Sequence, residues 1–389
     1  TRRIFFMKLK KLSALLLAGA MCLSIAACSS SSGGGESEAP ESAAPATTEG
    51  TETTASDLNV GVFYYTYSDV YITSVRTALD AALDGMGITY QDYDGNNTQS
   101  NQLDQVNTAI SNGANLLVVN IVETSSPDAA QTVCDAASTA GIPVIFFNRE
   151  VDDSVINSYD NAAFVGTDAA EAGHMQGEMI ANYLTENYDT VDLNGDGTIS
   201  YVMFKGQEGN AEAEYRTQYA VEDADALLEE AGHPALSSYD PANTSKYLVD
   251  QNGSWSAAAA TNYMDTILSA YSEANGNMVE LVIANNDEMA KGAISSLQAA
   301  GYNSGAEGST TIPVFGVDAT EDAQALINQG LMTGSIKQDA EGMANTIATL
   351  VGNINAGEEL MANTDQFIVD EGVAKIRVPY AMYTGEESA

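Results

Sequence analysis

Short apolar runs alternate with amphipathic stretches along most of this chain, and that alternation restricts the fold more than any single motif. L-N-V-G-V-F-Y-Y (58–65), I-T-Y-Q-D-Y (88–93), N-L-L-V-V-N-I-V (115–122) and I-P-V-I-F-F-N (142–148) each read as a strand. Between them lie helical spacings: Ile72, Val75, Leu79, Ala82, Leu83 and Met86, then Leu103, Val106 and Ile110 before Gly113, then Ala130, Val133 and Ala137. The pattern resumes with A-A-F-V-G-T (162–167), T-I-S-Y-V-M-F-K-G (198–206), V-E-L-V-I-A-N-N (279–286) and I-P-V-F-G-V-D (312–318), each leading into a helix. Strands this apolar belong in parallel sheets covered on both faces. The stretch from Asp57 to Ala389 suggests two domains at ~150 residues each. The expectation is an α/β fold of two doubly wound parallel-sheet lobes with a cleft between them.

In such sheets ligands sit at the C-terminal ends of strands. Those ends carry Tyr65, Tyr67 and Asp69, then Asn120, then Asn148 and Arg149, Lys205, then Asn285, Asn286 and Asp287, and finally Asp318. Amides, carboxylates and a few bases suit a ligand with many hydroxyls, because each hydroxyl both donates and accepts. Any one of these residues by itself reads more readily as a loop cap or turn former; the repetition at several strand ends is what favours a binding site. No strand end carries a G-x-G-x-x-G or P-loop motif, and there is no G-x-S-x-G elbow.

Charge narrows the partners. The chain carries 14 Lys and Arg against 54 Asp and Glu, a net charge of −40. Five of the bases (Arg2, Arg3, Lys8, Lys10 and Lys11) lie in the first 28 residues, which hold no acid. A body this acidic is repelled by nucleic acid and by anionic membrane surfaces. Of three cysteines only Cys134 lies in the body, so a disulfide framework is excluded.

Residues 7–28 run from a basic start through an apolar stretch to I-A-A-C, the layout of a secretory signal. The apolar part is shorter than the ~20 residues that span a bilayer. The ending resembles a bacterial lipobox, in which Cys28 is acylated and becomes the mature N-terminus. Met7 is a plausible start. Residues 29–56, rich in Ser, Gly, Glu, Ala and Thr, read as a flexible tether.

D-L-N-G-D-G-T-I-S (192–200) has the residue types of a calcium loop. Asp192, Asn194 and Asp196 stand at positions 1, 3 and 5, Gly197 at the sharp turn, Thr198 at the carbonyl position and Ser200 at position 9. The bidentate Glu of position 12 is replaced by Met203. Either the loop is an Asx-rich turn or a distant acid completes it.

With these motifs in place, the body (about 57–385) resembles the galactose/glucose-binding proteins of sugar ABC transporters, of the periplasmic sugar-binding family. F-F-N-R-E, V-G-T-D, D-L-N-G-D-G, V-E-L-V-I-A-N-N-D-E-M-A and I-P-V-F-G-V-D-A carry the likeness. The resemblance implies a type I periplasmic binding protein whose lobes join through a three-strand hinge and close on one sugar. It implies lobe 1 at 57–142 and 339–371, and lobe 2 at 143–338 and 372–389. It implies that Glu280 completes the loop around a structural Ca2+. It implies a sugar site of Asp69, Tyr71, Asn120, Asn210, Glu212, Arg216, Trp255, Asn286, Asp318 and Gln338. Tyr71, Asn210, Glu212 and Gln338 stand where the family usually has Phe, His, Asp and Asn, which leaves the exact sugar open. Apart from the resemblance, Trp255 reads equally as a core aromatic.

The expected function is a monomeric, lipid-anchored, non-enzymatic binding protein that delivers a monosaccharide, galactose or glucose, to an ABC permease. A second reading has it present the sugar to a chemoreceptor or sensor kinase. A third, a glycoside-processing enzyme, requires two carboxylates flanking a scissile bond.

Overall fold

Strands buried end to end form the middle of each lobe. The computed structural model describes residues 57–385, so the apolar leader, Cys28 and the 29–56 tether lie outside the described residues. The first lobe begins with β1 (Asn59–Tyr64), α1 (Val70–Met86), β2 (Thr89–Asp94), α2 (Gln99–Ser111), β3 (Leu116–Val119), α3 (Asp128–Ala140), β4 (Val144–Phe147), α4 (Asp153–Ile156) and β5 (Ala162–Gly166). The chain then runs through α5 (Ala169–Val191), β6 (Ser200–Lys205), α6 (Ala211–Glu230), β7 (Ser237–Ser238), β8 (Leu248–Val249), α7 (Ala257–Leu268), β9 (Leu281–Ala284), α8 (Asp287–Ala299), β10 (Val314–Asp318), α9 (Glu321–Asn328) and β11 (Gly334–Lys337). It ends with α10 (Ala340–Asn355), β12 (Ile368–Val369), β13 (Lys375–Arg377) and β14 (Ala381–Tyr383).

The first sheet has the order β12-β13-β5-β4-β3-β1-β2, and the second β14-β11-β10-β9-β6-β7, with β8 also paired to β6. All pairs are parallel except β12 with β13 and β14 with β11. Alternate side chains of a strand enter opposite cores. Val60, Val62 and Tyr64 pack with Val75 and Leu79 of α1 and Ile347 and Val351 of α10. Phe63 points the other way, to Val106 and Val133. In the second lobe Tyr201 and Met203 join Ile180 and Leu184 of α5, while Val202 and Phe204 join Met264 of α7 and Ile294 of α8. Each fully buried aliphatic side chain contributes roughly 1.5–3 kcal/mol, which explains why both faces of each sheet are covered.

Three passages connect the lobes. The chain leaves lobe 1 after β5 at residues 167–168, returns at 338–339 between β11 and α10, and crosses again at 378–380 between β13 and β14. This corrects the expected boundary at 143. β4 and β5 continue the first sheet, with Val118 opposite Ile145 and Phe146 opposite Phe164. The boundary at 371–372 is corrected too, because β13 pairs with β5, Ile376 opposite Val165. An apolar run marks a strand but carries no information on which sheet accepts its hydrogen bonds.

Candidate functional site

The switch points of the two sheets lie between β1 and β3 and between β6 and β9, where ligands of such sheets bind. Residues at these strand ends, from both lobes, line one small cavity. Tyr65, Asp69, Tyr71, Ile72, Asn148 and Arg149 line it from lobe 1. Asn210, Glu212, Arg216, Trp255, Asn286 and Asp318 line it from lobe 2, and Gln338 from the second passage.

Local structure delivers several of these groups. Asp69 caps α1, its Oδ1 accepting from Ile72 N at 2.8 Å, while its Oδ2 accepts from the Tyr65 hydroxyl at 2.5 Å. Asn210 caps α6 by accepting from Ala213 N at 3.0 Å, and Asn286 caps α8 by accepting from Met289 N at 3.0 Å. The Asn286 amide also donates to the Trp255 carbonyl at 3.1 Å. Asn148, Trp255 and Asp318 have positive φ, of 63°, 54° and 113°. Such conformations in non-glycine residues cost of order 1–3 kcal/mol and gather where a side chain must be aimed. Gly206, just after β6, makes room for the tryptophan: a Cβ there would stand 2.1 Å from Trp255 Cδ2.

Four buried polar atoms of this cavity have no partner in the protein: Glu212 Oε2, Arg216 Nε, Trp255 Nε1 and Gln338 Nε2. Leaving such a group unpaired costs about 1–3 kcal/mol, so their convergence on one space indicates a ligand that both donates and accepts. Arg216 is otherwise engaged: Nη1 donates to Asn285 O at 2.9 Å, and Nη2 to the Tyr380 hydroxyl at 2.8 Å and Gln338 Oε1 at 3.4 Å. Burial raises the Glu212 carboxyl above its usual range, the Glu150 carboxylate adds to this, and Arg216 opposes it. Burial also raises Asp318 well above its usual range against the pull of Arg216, with Asp287, Asp69 and Glu288 adding to the rise.

The lobes meet directly around the cavity. Glu150 N donates to Glu212 Oε1 at 3.1 Å, Asn210 Nδ2 to Thr124 Oγ1 at 3.3 Å, Arg149 Nη2 to Gln207 Oε1 at 3.1 Å, and Asn97 Nδ2 to Asn252 O at 2.9 Å. The arrangement is that of a closed clamp.

Of the ten residues expected at the site, nine line the cavity. Asn120 does not, a correction with a clear cause. Both protons of its amide are spent, on Phe147 O and Asn148 Oδ1 at 3.1 Å each, and its oxygen accepts from Tyr65 N at 3.3 Å. It ties the ends of β1, β3 and β4 together behind the site. Tyr65, Ile72, Asn148 and Arg149 were not assigned to the site by resemblance. Three of them had been visible as polar strand ends. Arg149 lies over the Tyr65 ring, 3.6 Å from its centroid. Lys205, another strand end, turns away to Glu208 and Glu214 at 2.7 Å each.

The 192–200 loop lies apart from these residues. Glu280, fully buried, closes it: Oε1 accepts from Leu193 N and Asn194 N at 2.9 and 3.3 Å, and Oε2 from Ser200 N and Oγ at 2.9 and 3.0 Å. Asp192 accepts from the Gly195 and Gly197 amides, Asn194 from Asp196 N, and Asp196 from Thr198 N. With these side chains turned onto the loop's own amides, no three Asp, Glu, His or Cys converge at metal-holding distance among the described residues.

The periplasmic binding protein domain family matches residues 60–359. The chain is 34% identical to the D-galactose/methyl-galactoside binding periplasmic protein MglB of Haemophilus influenzae, over 84% of this chain and 89% of that one. It is 25% identical to the xylitol-binding protein of Mycolicibacterium smegmatis, over 96% of this chain and 88% of that one. Among solved structures, an ABC transporter solute binding protein from Clostridium phytofermentans with bound β-D-glucose aligns with a TM-score of 0.63 and 25% identity, covering 84% of this chain and 93% of that one. One from Bacillus halodurans with bound myo-inositol has the same fold, with a TM-score of 0.63 and 24% identity over 85% of this chain and 96% of that one.

Proposed function

The chain belongs to the periplasmic binding protein family, and we propose that it is the extracytoplasmic sugar-binding component of an ABC transporter. The family is one of binding proteins, so the chain is a binding protein and not an enzyme. Its ligand on this reading is a monosaccharide, galactose or glucose, held between the lobes of a monomer. One observation carries the proposal: the unpartnered Glu212 Oε2, Arg216 Nε, Trp255 Nε1 and Gln338 Nε2 all belong to residues that line the same interlobe cavity. A pyranose ring answers that inventory. Its hydroxyls accept from the three donors and donate to Glu212 and Asp318, and its C–H faces suit Tyr71 and Trp255. Hydrogen bonds to the charged groups are the strong ones. A sugar lacking a matching hydroxyl leaves a buried group unpaired and is rejected. Residues from both lobes are needed, so binding favours the closed state through contacts that an open cleft lacks.

Calcium in the 192–200 loop is part of the same reading. The donors are oxygens throughout, which suits a hard cation. The Asp192 and Asp196 oxygens that accept one amide keep a second lone pair, whereas each Glu280 oxygen accepts two hydrogen bonds and would exchange one of them for the ion. Asp192, Asn194, Asp196, Ser200, Glu280 and the Thr198 carbonyl would hold the ion, which would brace the loop before β6. Acylation at Cys28 would tether the protein outside the membrane, with 29–56 as the flexible spacer.

Calorimetric titration of the chain without its apolar leader against a panel of hexoses and pentoses tests the proposal. Galactose or glucose should bind. Asp318→Ala should weaken binding by roughly ten- to a hundredfold, about 1.5–3 kcal/mol for hydrogen bonds to a charged group. A panel without a binder, or wild-type affinity in a folded Asp318→Ala protein, refutes the reading.

A further inference from the structure

One hydroxyl stands where the hinge meets the cavity. Tyr380, buried in the third passage, lies with its hydroxyl 2.8 Å from Thr167 Oγ1 in the first passage and 2.8 Å from Arg216 Nη2. Gln338, in the second passage, accepts from the same Nη2 at 3.4 Å. All three passages therefore converge on one guanidinium, through Thr167 and Tyr380 on one side and Gln338 on the other. The opposite edge of that guanidinium, Nε, is buried and unpartnered, and Arg216 lines the cavity. Nη1 is pinned to Asn285 O at the end of β9.

We infer that Tyr380 is a positioning residue that couples the hinge to the ligand through Arg216. The inference rests on the interlobe cavity being the sugar site. A guanidinium is a planar, rigid fork, so a ligand oxygen that accepts from Nε sets the plane and with it the direction of Nη2. Nη2 donates to the Tyr380 oxygen, and the Tyr380 and Thr167 hydroxyls share a second hydrogen bond in which either can be the donor. Opening the lobes changes the relative positions of the three passages. The Arg216–Tyr380–Thr167 chain can be intact only over a narrow range of hinge angle. An occupied Nε favours that range, and the hinge in turn holds Arg216 ready for the ligand, as reciprocal coupling requires. Tyr380 does this without lining the cavity, so its effect falls on the rate of release rather than on a direct contact.

Trp255, the chain's single tryptophan, lines the cavity and supplies a fluorescence signal for closure. Stopped-flow mixing with D-galactose and D-glucose would compare wild type, Tyr380→Phe, Thr167→Val and the double variant. Each single variant should release sugar roughly tenfold faster, the loss of one hydrogen bond to or through a charged group. The ligand-free variants should still melt cooperatively, with the change in release exceeding any change in unfolding. The double variant should be no worse than either single one, because both cut the same chain. Wild-type release in both single variants overturns the inference. So does an effect of Tyr380→Phe that Thr167→Val does not share, or effects that add. If wild type binds neither sugar, the sugar reading fails and hydrogen exchange of the ligand-free protein decides the coupling. Tyr380→Phe should then speed exchange in 166–169 and 338–340 as well as around 380. A change confined to 378–381 overturns it.

Discussion

Asp69, Asn210 and Asn286 each cap a helix with one oxygen and also line the cavity, the second polar atom being held by Tyr65, Thr124 and Trp255 respectively. At these positions the cap and the binding group are one residue, since a helix start at a strand end places its cap at the cleft. Their substitution would mix a cap loss of about 1 kcal/mol with a loss of contact. Gly206 separates the two. It does not line the cavity, yet the space its missing Cβ leaves is filled by the Trp255 ring. Gly206→Ala should push the ring aside and weaken sugar binding at least tenfold, within the ~1–3 kcal/mol typical of overpacking. Titration together with near-ultraviolet circular dichroism of the tryptophan checks this. An unchanged dichroic band and unchanged affinity would show that the ring does not depend on the glycine.

Two connections between elements carry their own tests. The loop joining α5 to β6 is closed by Glu280, the residue just before β9, rather than from its own sequence. If it takes calcium, the metal adds stability as ln(1 + [L]/Kd), ~2.7 kcal/mol at a hundredfold excess. Added calcium should raise the melting temperature and chelator lower it, with most of the response lost in Glu280→Gln. Identical melting with calcium and with chelator would mean that the loop is a turn held by Glu280 alone. Where α1 crosses β2, burial pushes the Asp92 carboxyl up to about 7, helped by Asp80 and opposed by Arg76. Asp80 is raised by burial as well, and Tyr64 faces the pair. An acid whose folded value lies above its unfolded 3.8 contributes stability that is present below pH 3.8 and lost as pH rises through about 7. Wild type should therefore lose melting temperature from pH 5 to pH 8 more steeply than Asp92→Asn. The general repulsion of this acidic chain acts on both, so the difference between the two curves isolates the carboxyl. Parallel curves would show that Asp92 ionises normally.

For the molecule as a whole, charge and attachment belong together. Beyond the first 28 residues nine bases face 54 acids, a net charge of −45, so the body has no electrostatic route to an anionic membrane. Among the described residues no helix is long and apolar enough to cross a membrane. A lipid on Cys28 would supply attachment without opposing that charge, and the 29–56 spacer would leave the lobes free to close. Cys28→Ala should abolish fatty-acid labelling and release the protein from the membrane fraction. Labelling that persists in the variant would exclude lipidation at this cysteine.

β1, β3 to β6, β9 and β10 were legible in the chain because each is a run of buried apolar residues bounded by polar ones, whereas the half-exposed β2, T-Y-Q-D-Y-D, showed only through its strand-favouring Thr and Tyr residues. β11 and β13 were not legible. G-S-I-K and K-I-R offer one apolar residue each, and only pairing with β10 and β5 makes them strands. The polar strand ends pointed to the cleft, and family resemblance picked out Glu212, Arg216, Trp255 and Gln338. Neither could separate Asn120, whose amide is spent on neighbouring strands, from Asn148 and Arg149, which reach the cavity. Local pattern determines secondary structure and which ends of the strands are polar, because periodicity and turn chemistry act over a few residues. The choice of sheet, the place of the three passages and the identity of the unpaired atoms depend on hydrogen bonds between residues far apart in sequence, and those exist only once the lobes have folded and closed.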